Sequence, residues 1–170
     1  RLKESGGGEV IAITCGPLRS AKMLTDAAAV GADSLMHVQI DGENSLDSTQ
    51  IQSVLAAALA KAGCDVVFCG KQAADTNGGS TGPGVAMLMG ASCVSHVSEV
   101  TADGGGYLAL RASSGGNERV HVSAPCVFAF DKGSEELRRP NVRGIMMAKK
   151  KVIETVSPED LGISMGESRV

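Results

Sequence analysis

The sequence predicts an α/β fold with a mainly parallel sheet, flanking helices and an antiparallel extension. In the first half, short apolar runs alternate with helix-like segments through short connections, which is typical of a parallel sheet covered by helices. In the second half, apolar and polar residues alternate between glycine-rich turns, which indicates antiparallel hairpins. The chain has 170 residues, 43% hydrophobic and only 2% aromatic, which suits one domain with an aliphatic core.

The first strand and helix follow a short helix-like segment. Residues 1–4 resemble the last turn of a helix before three glycines, so we expect further residues upstream. Val10–Thr14 is a continuous apolar run and predicts a strand that is buried on both faces. Ser20 is expected to cap the next helix, which ends at Gly31. The apolar stripe of this helix comprises Met23, Leu24, Ala27 and Ala28.

The next strand and helix have the clearest signals in the chain. Ser34–Ile40 predicts the second strand, and Asp47 and Gln50 have the spacing of a helix-capping box. Gly63 is expected to end this helix, and Asp65–Cys69 then predicts a third buried strand. The apolar positions that recur at helical spacing are Ile51, Val54, Leu55, Ala58, Leu59 and Ala62.

The remaining elements follow a long loop. Gly70–Gly84 is rich in small and polar residues, and Val85–Ala91 is predicted to form a helix after it. Pro125–Phe130 predicts one more buried strand, which is followed by a charged loop. The predicted antiparallel strands are Ser95–Thr101, Tyr107–Ala112 and Arg119–Ser123.

Charge and composition argue against several functions. The formal net charge of -3 gives no general attraction to nucleic acid or anionic membranes, and the scarcity of aromatic residues disfavours base stacking. No apolar run approaches the roughly 20 residues that span a bilayer. The five cysteines form no CxxC pair and are interpreted as free, mostly buried thiols. His37, His96 and His121 lie without carboxylates or cysteines at metal-ligand spacing, so no catalytic role is predicted for them.

One loop has the composition of a phosphate-binding site. In open α/β sheets, ligands bind beyond the carboxyl ends of the strands, and Gly70–Gly82 follows the third strand. Its glycines permit close approach of backbone N–H groups, and the next helix presents its positive N-terminal end. The loop has neither the Walker A nor the GxGxxG pattern, which argues against nucleotide hydrolysis. By composition alone, a flexible surface loop remains an alternative.

Five motifs, in order, resemble the β subunits of electron transfer flavoproteins. They extend over almost the whole chain and are together more specific than any one of them. The resemblance implies an adenine nucleotide α-hydrolase-like fold. It also predicts that one or more N-terminal strands and a C-terminal arm are missing from the chain. The motifs are IAITCGP at 11–17, AVGAD at 29–33, GKQAAD at 70–75 with TG at 81–82, GIMMAKKK at 144–151 and PEDLG at 158–162.

The same resemblance implies a function. In that family the β subunit pairs with an α subunit, holds a structural AMP and leaves most of the FAD to the α subunit. The heterodimer relays electrons from acyl-CoA and related dehydrogenases, as in fatty acid β-oxidation, to a membrane quinone oxidoreductase. Because the redox chemistry belongs to the flavin, we expect a non-catalytic electron-carrier subunit. The implied location is the mitochondrial matrix, with the bacterial cytoplasm as an alternative.

The resemblance places the AMP contacts at the Cys-Gly-Pro turn and in the loop after the third strand. Lys71 is expected either to pair with the phosphate or to be a solvated surface lysine. Asp75 would repel a phosphate unless it contacts the ribose or a backbone N–H group. The matching positions are Cys15, Gly70, Lys71, Gln72, Ala73, Ala74, Asp75, Thr76, Asn77, Gly78, Gly79, Ser80 and Thr81.

A basic segment, Arg138–Lys151, is the candidate partner-recognition loop. A solvated basic turn before an edge strand would explain its charge. A docking loop would instead combine an apolar anchor with charges that steer the encounter. The resemblance favours docking, because Val142 falls where the family's recognition loop carries a leucine that anchors to dehydrogenases. The predicted docking residues are Val142, Arg143, Ile145 and Met146.

Two other functions compete with this interpretation. A stand-alone adenine-nucleotide sensor of the universal-stress type shares the nucleotide-binding logic, but it does not need the basic and apolar segment after Phe130. An ATP pyrophosphatase would need a phosphate loop such as SGGxDS after the first strand. Thr14–Pro17 stands at that place and does not have this pattern.

Overall fold

A computed structural model describes residues 2–40, 46–131 and 137–164 of the chain. The strands of these residues are β1 (Ile11–Gly16), β2 (Ser34–Gln39), β3 (Val66–Gly70), β4 (Ser92–Asp103), β5 (Gly106–Ser113), β6 (Gly116–Val122), β7 (Cys126–Phe130) and β8 (Glu154–Val156). The α-helices are α1 (Leu2–Gly6), α2 (Ala21–Ala29), α3 (Ser48–Lys61), α4 (Thr81–Met89) and α5 (Val142–Ala148). Short 3-10 turns lie at Leu18–Ser20 and Glu159–Leu161.

The described residues form two compact units, each with its own sheet. The three-stranded unit lies within residues 7–62 and 137–170, and its parallel strands have the order β1-β2-β8. The five-stranded unit lies within residues 1–6 and 63–136 and has the order β3-β7-β4-β5-β6.

Helices cover both faces of the three-stranded sheet. Leu35 and Met36 are neighbours on β2 and therefore point to opposite faces. Leu35 packs with buried residues of α2 and α5, whereas Met36 packs with buried residues of α3. One cluster comprises Leu24, Ala28, Ala32, Leu35 and Ala148, and the other comprises Met36, Val38, Val54, Ala58 and Val156.

The five-stranded sheet joins the parallel and antiparallel parts of the fold. β7 pairs in parallel with β3 on one side and with β4 on the other. β4, β5 and β6 then pair in antiparallel fashion, as the alternating pattern and the glycine turns predict. The core of the unit comprises Val94, Val97, Ala109, Cys126 and Phe128. The predicted mainly parallel sheet with an antiparallel extension is therefore confirmed, although its parallel strands are divided between two sheets.

Two strands are less buried than the sequence predicts. The run at Val10–Thr14 was expected to be covered on both faces, but every residue of β1 is only partly buried. β3 is also partly exposed, and the Phe68 side chain keeps 49% of its surface. Within the described sheets, β1 and β3 each pair with a single neighbour, so one edge of each strand is not covered by another strand.

Two helix starts and one apolar stripe also differ from prediction. Ser20 makes no side-chain cap, because the preceding 3-10 turn gives it helical backbone angles of φ -69° and ψ -23°. Met23 is 60% exposed, since α2 buries Leu24 and Ala28 on its inner side instead. α4 begins at Thr81 rather than at the predicted Val85, because a proline such as Pro83 is tolerated in the first turn of a helix.

The capping box at the start of α3 is confirmed and gives a stability prediction. Asp47 Oδ1 accepts from the Gln50 N–H at 2.8 Å, and Gln50 Oε1 accepts from the Asp47 N–H at 3.0 Å. Asp47→Ala should lower the free energy of unfolding by about 1 kcal/mol in urea denaturation, because the Gln50 N–H loses its side-chain acceptor. Asp26→Ala removes an exposed carboxylate within α2 and should change it by less than about 0.5 kcal/mol. Equal losses in the two variants would contradict the role of the cap.

Candidate functional site

The loop between β3 and α4, residues 71–80, is organised by its own backbone. The Lys71 N–H donates to Phe130 O at 2.6 Å and so continues the β3–β7 ladder beyond the end of β3. The Asn77 N–H donates to Ala73 O at 3.0 Å, and the Ala73 N–H donates to Gly78 O at 3.3 Å. Asn77 takes the left-handed conformation with φ 53°. The β3–α4 loop is therefore a folded turn and not an open chain.

Side chains of the β3–α4 loop support this turn. Gln72 Nε2 donates to Asn77 Oδ1 at 3.3 Å, and the Gly78 N–H donates to Thr76 Oγ1 at 3.3 Å. Asp75 Oδ1 accepts from the Thr76 N–H at 2.8 Å. A carboxylate can lie near a phosphate if it contacts the ribose or a backbone N–H group. Asp75 meets the second of these conditions. The side chains that follow Lys71 in this loop, Gln72 to Ser80, are exposed.

Gly82 allows the first turn of α4 to rest directly on the strands. A Cβ at Gly82 would lie 2.9 Å from Cys69 Sγ and 3.3 Å from Ala129 Cβ, so a larger residue has no room. The Gly84 N–H donates to Ser80 O at 2.8 Å, while the Ser80 side chain does not cap the helix. In a helix, the N–H groups of the first turn have no partner within the helix and form its positive end. The Thr81 and Gly82 N–H groups can therefore contribute to an anion site.

A charged pair lies at the carboxyl ends of β3 and β7. Lys71 Nζ is 2.8 Å from Asp131 Oδ2, so in this structure the lysine is paired with a carboxylate. His96 Nδ1 is 3.9 Å from the same oxygen. Asp131 is not among the predicted site residues, although its place directly after the buried run Pro125–Phe130 marks it as a strand-end residue.

His96 does not lie in a regular strand as predicted. It has φ 59°, and the β4–β7 ladder shifts register between Ser95 and Val97. A bulge of this kind turns a side chain out of the regular alternation of a strand. No signal in the local sequence distinguishes this bulge from the continuous strand that the alternation predicts.

The Cys-Gly-Pro turn in the three-stranded unit is held by a buried histidine. Gly16 O accepts from the Ile40 N–H at 3.1 Å and lies 3.0 Å from Nε2 of His37, which has no exposed surface. Gly16 has φ 145°, and a Cβ at this position would lie 2.9 Å from Ser20 Oγ. Burial raises the pKa of the neighbouring Cys15 thiol, so this thiol is neutral at pH 7. Cys15 would not repel an anionic ligand.

The predicted nucleotide contacts belong to both units. Gly70 to Thr81 come together around the end of β3 in the five-stranded unit, whereas Cys15 lies at the end of β1 in the three-stranded unit. All five cysteines are thiols, as predicted, but the prediction that most of them are buried is wrong. Cys126 is buried and Cys93 is exposed, while Cys15, Cys64 and Cys69 are partly buried.

The predicted docking segment contains a helix rather than a continuous loop. Asn141 caps α5, because its Oδ1 accepts from the Gly144 N–H at 2.7 Å. Ala148 is buried in the cluster that α5 shares with α2. Three of the predicted docking residues follow one another at positions i, i+3 and i+4 and form one exposed apolar stripe. They are Val142, Ile145 and Met146, with exposed fractions of 76%, 41% and 60%, and Arg143 is exposed beside them.

Gly144 fixes the distance between α5 and α2. A Cβ at Gly144 would lie 2.5 Å from the backbone oxygen of Ala29, which cannot move without separating the two helices. Gly144→Ala should therefore lower the free energy of unfolding by about 1–3 kcal/mol, although alanine is ordinarily the better helix former.

The matched control is Gly115→Ala, because nothing lies within 4 Å of a Cβ at Gly115. This variant should differ from the wild type by less than about 0.5 kcal/mol in the same denaturation experiment. A Gly144→Ala variant that is as stable as the wild type would show that α5 does not pack on α2 in this way.

The described ranges show neither a metal-binding cluster nor a membrane-crossing helix. Residues 2–40, 46–131 and 137–164 contain no group of three or more His, Cys, Asp or Glu side chains that is placed to hold a metal ion. Over the same residues, no helix combines the length and the apolar character that a membrane crossing requires.

Comparison with known proteins gives one consistent family. Residues 1–161 match the family model of the electron transfer flavoprotein domain. The chain is similar to electron transfer flavoprotein subunit beta of Mus musculus, with 37% identity over 168 residues, 97% of this chain and 66% of the mouse protein. Its identity to the Homo sapiens subunit beta is 35%. The Mycobacterium tuberculosis H37Rv subunit beta is 29% identical over 161 residues, 94% of this chain and 60% of that protein. The chain thus spans just under two thirds of the mouse and human relatives.

Proposed function

The chain belongs to the electron transfer flavoprotein family, and from this premise we propose that it is part of an AMP-binding β subunit that works with an α subunit. FAD, held mainly by the α subunit, supplies the redox chemistry when bound. In this proposal the chain is a non-catalytic electron carrier. It relays electrons from acyl-CoA and related dehydrogenases to a membrane quinone oxidoreductase. The proposed location is the mitochondrial matrix, with the bacterial cytoplasm as the alternative.

The β3–α4 loop carries the AMP proposal. A phosphate favours sites where backbone N–H groups converge at a helix start, and Gly82 leaves the first turn of α4 in close contact with the strand ends. The turn formed by Ala73 to Gly78 would place the remainder of the loop around the nucleotide. Lys71 is engaged by Asp131, so we assign phosphate binding chiefly to the backbone. Cys15 is proposed as a nucleotide contact on the family resemblance alone.

Mass spectrometry of released nucleotide tests this proposal. The full-length protein that contains this chain is purified alone and after co-expression with a candidate α subunit, and is then denatured. AMP is expected with this chain, and FAD is expected only when the α subunit is present. ATP without α-subunit association would favour a nucleotide sensor, and the absence of nucleotide from both samples would contradict the loop assignment.

A loop variant links the released AMP to the β3–α4 loop. Asn77→Ala removes the Oδ1 atom that accepts a hydrogen bond from Gln72. It also places an alanine, which has no polar side-chain atom for a local hydrogen bond, in the left-handed conformation. That conformation costs roughly 1–2 kcal/mol, so the affinity for AMP should fall about fivefold or more, and less AMP should be released from the variant. The control Asn117→Ala changes an exposed asparagine at the β5–β6 turn and should retain wild-type occupancy. Equal occupancy in the two variants would show that the loop conformation does not hold AMP.

The stripe Val142, Ile145 and Met146 carries the docking proposal. These apolar side chains are exposed on α5, and the segment Arg138–Lys151 that contains them carries six basic residues. A small apolar anchor within a ring of charge is a common way to combine fast encounter with specific contact. We assign this face of α5 to the electron-donating dehydrogenases.

Dehydrogenase docking is tested by placing a negative charge in the apolar stripe. Met146→Glu should raise the KM for the flavoprotein in reduction by an acyl-CoA dehydrogenase about tenfold, because a charge enters the apolar anchor. The AMP and FAD content should not change. The control Met87→Glu alters an even more exposed methionine on α4, at 84% compared with 60% for Met146, and should leave this KM unchanged. An unchanged KM in Met146→Glu would place docking elsewhere.

A further inference from the structure

The Lys71–Asp131 pair lies directly beyond the strand residues on which α4 rests. Cys69 and Ala129 are partners in the β3–β7 ladder, and both approach the position of a Cβ on Gly82. Side chains two residues apart on a strand share a face of the sheet. Lys71 and Asp131 follow Cys69 and Ala129 by two residues, and the Lys71 N–H continues the ladder. The pair therefore stands on the α4 side of the sheet, in front of the positive end of α4.

The charges of this pair largely cancel each other. Lys71 Nζ is 2.8 Å from Asp131 Oδ2, and the lysine side chain keeps only 25% of its surface. His96 Nδ1 approaches the same oxygen at 3.9 Å, so the carboxylate faces both the lysine and the imidazole. The attraction left for an anion comes chiefly from the N–H groups of the first turn of α4. This arrangement suits a ligand with a small number of negative charges.

We propose that Asp131 is a specificity-determining residue that limits the site to a nucleoside monophosphate. The helix start can bind the single phosphate of AMP without the lysine. The additional phosphates of ADP and ATP would bring further negative charge toward the Asp131 carboxylate, and Lys71 would not be available to neutralise it. This inference rests on the proposed AMP site, and it assigns the preference of that site for AMP over ADP and ATP to Asp131.

Competition between nucleotides tests this assignment in the full-length heterodimer after its bound nucleotide has been removed. Unlabelled AMP, ADP and ATP compete against radiolabelled AMP in the wild type and in Asp131→Asn. Asparagine keeps the size of the side chain and an acceptor oxygen, but it removes the charge. The affinity for ATP relative to AMP should rise roughly tenfold in the variant, because repulsion is lost and Lys71 is released.

Two further variants separate the local effect from net charge. Asp103→Asn removes a carboxylate charge at the end of β4, where the carboxylate also lies 3.9 Å from a histidine. This variant should leave the ratio of ATP affinity to AMP affinity unchanged. The double variant Lys71→Met/Asp131→Asn should show a smaller gain than Asp131→Asn, because the repulsion is still lost but the released lysine is absent. Thermal unfolding of each variant checks that the fold is retained.

The outcomes distinguish this inference from the proposed function. If the ratio of ATP affinity to AMP affinity in Asp131→Asn stays within about twofold of the wild-type ratio, the inference is overturned and AMP binding remains intact. An equal shift in Asp103→Asn would do the same, because it would show that net charge rather than the position of Asp131 sets the preference. A wild-type heterodimer that binds no AMP would overturn the proposed function and the inference together.

Discussion

The position of the candidate loop depends on the pairing of one buried strand, β7, with parallel neighbours on both sides. Residues 126–129 of β7 have almost no exposed surface. Phe128 stacks on Phe68 of β3 with ring centroids 5.6 Å apart and meets Tyr107 of β5 edge-on at 6.1 Å. These ring contacts and the two ladders fix the register of β3, β7 and β4. Because β3 and β7 are parallel and in register, their carboxyl ends meet at one edge of the sheet, where ligands of α/β folds bind.

The same register decides which groups can form the site. The residues that face the start of α4 are small, and a glycine stands opposite them, so the helix approaches the strands closely. A close helix start presents backbone N–H groups, while the larger polar side chains of the loop bond mainly within the loop. Such a site depends on the conformation of the chain more than on the identity of exposed side chains. This explains why a loop without a Walker lysine motif still has the features of a phosphate site.

A large part of this fold could be predicted from short sequence motifs, because the residues of each motif interact with neighbours only a few positions away. The Asp47–Gln50 capping box and the glycine turns of the antiparallel strands belong to this class. Long-range pairing could not be predicted in the same way. β3 pairs with β7, about 60 residues later in the chain, and nothing in its sequence names that partner. The Lys71–Asp131 pair arises from this pairing, and the bulge at His96 arises from the pairing of β4 with β7, so both became visible only in the structure.

The candidate docking face obeys a different constraint from the candidate loop. α5 is a short helix, and helices of this length are marginal unless tertiary contacts stabilise them. Asn141 supplies a cap, and Gly144 and Ala148 allow close packing against the unit's core. With the inner side committed to this packing, the apolar residues at positions i, i+3 and i+4 must face outward. The exposure of the stripe thus follows from how α5 is anchored, and a partner that covers it would find a preformed helix rather than a loop that has to be ordered on binding.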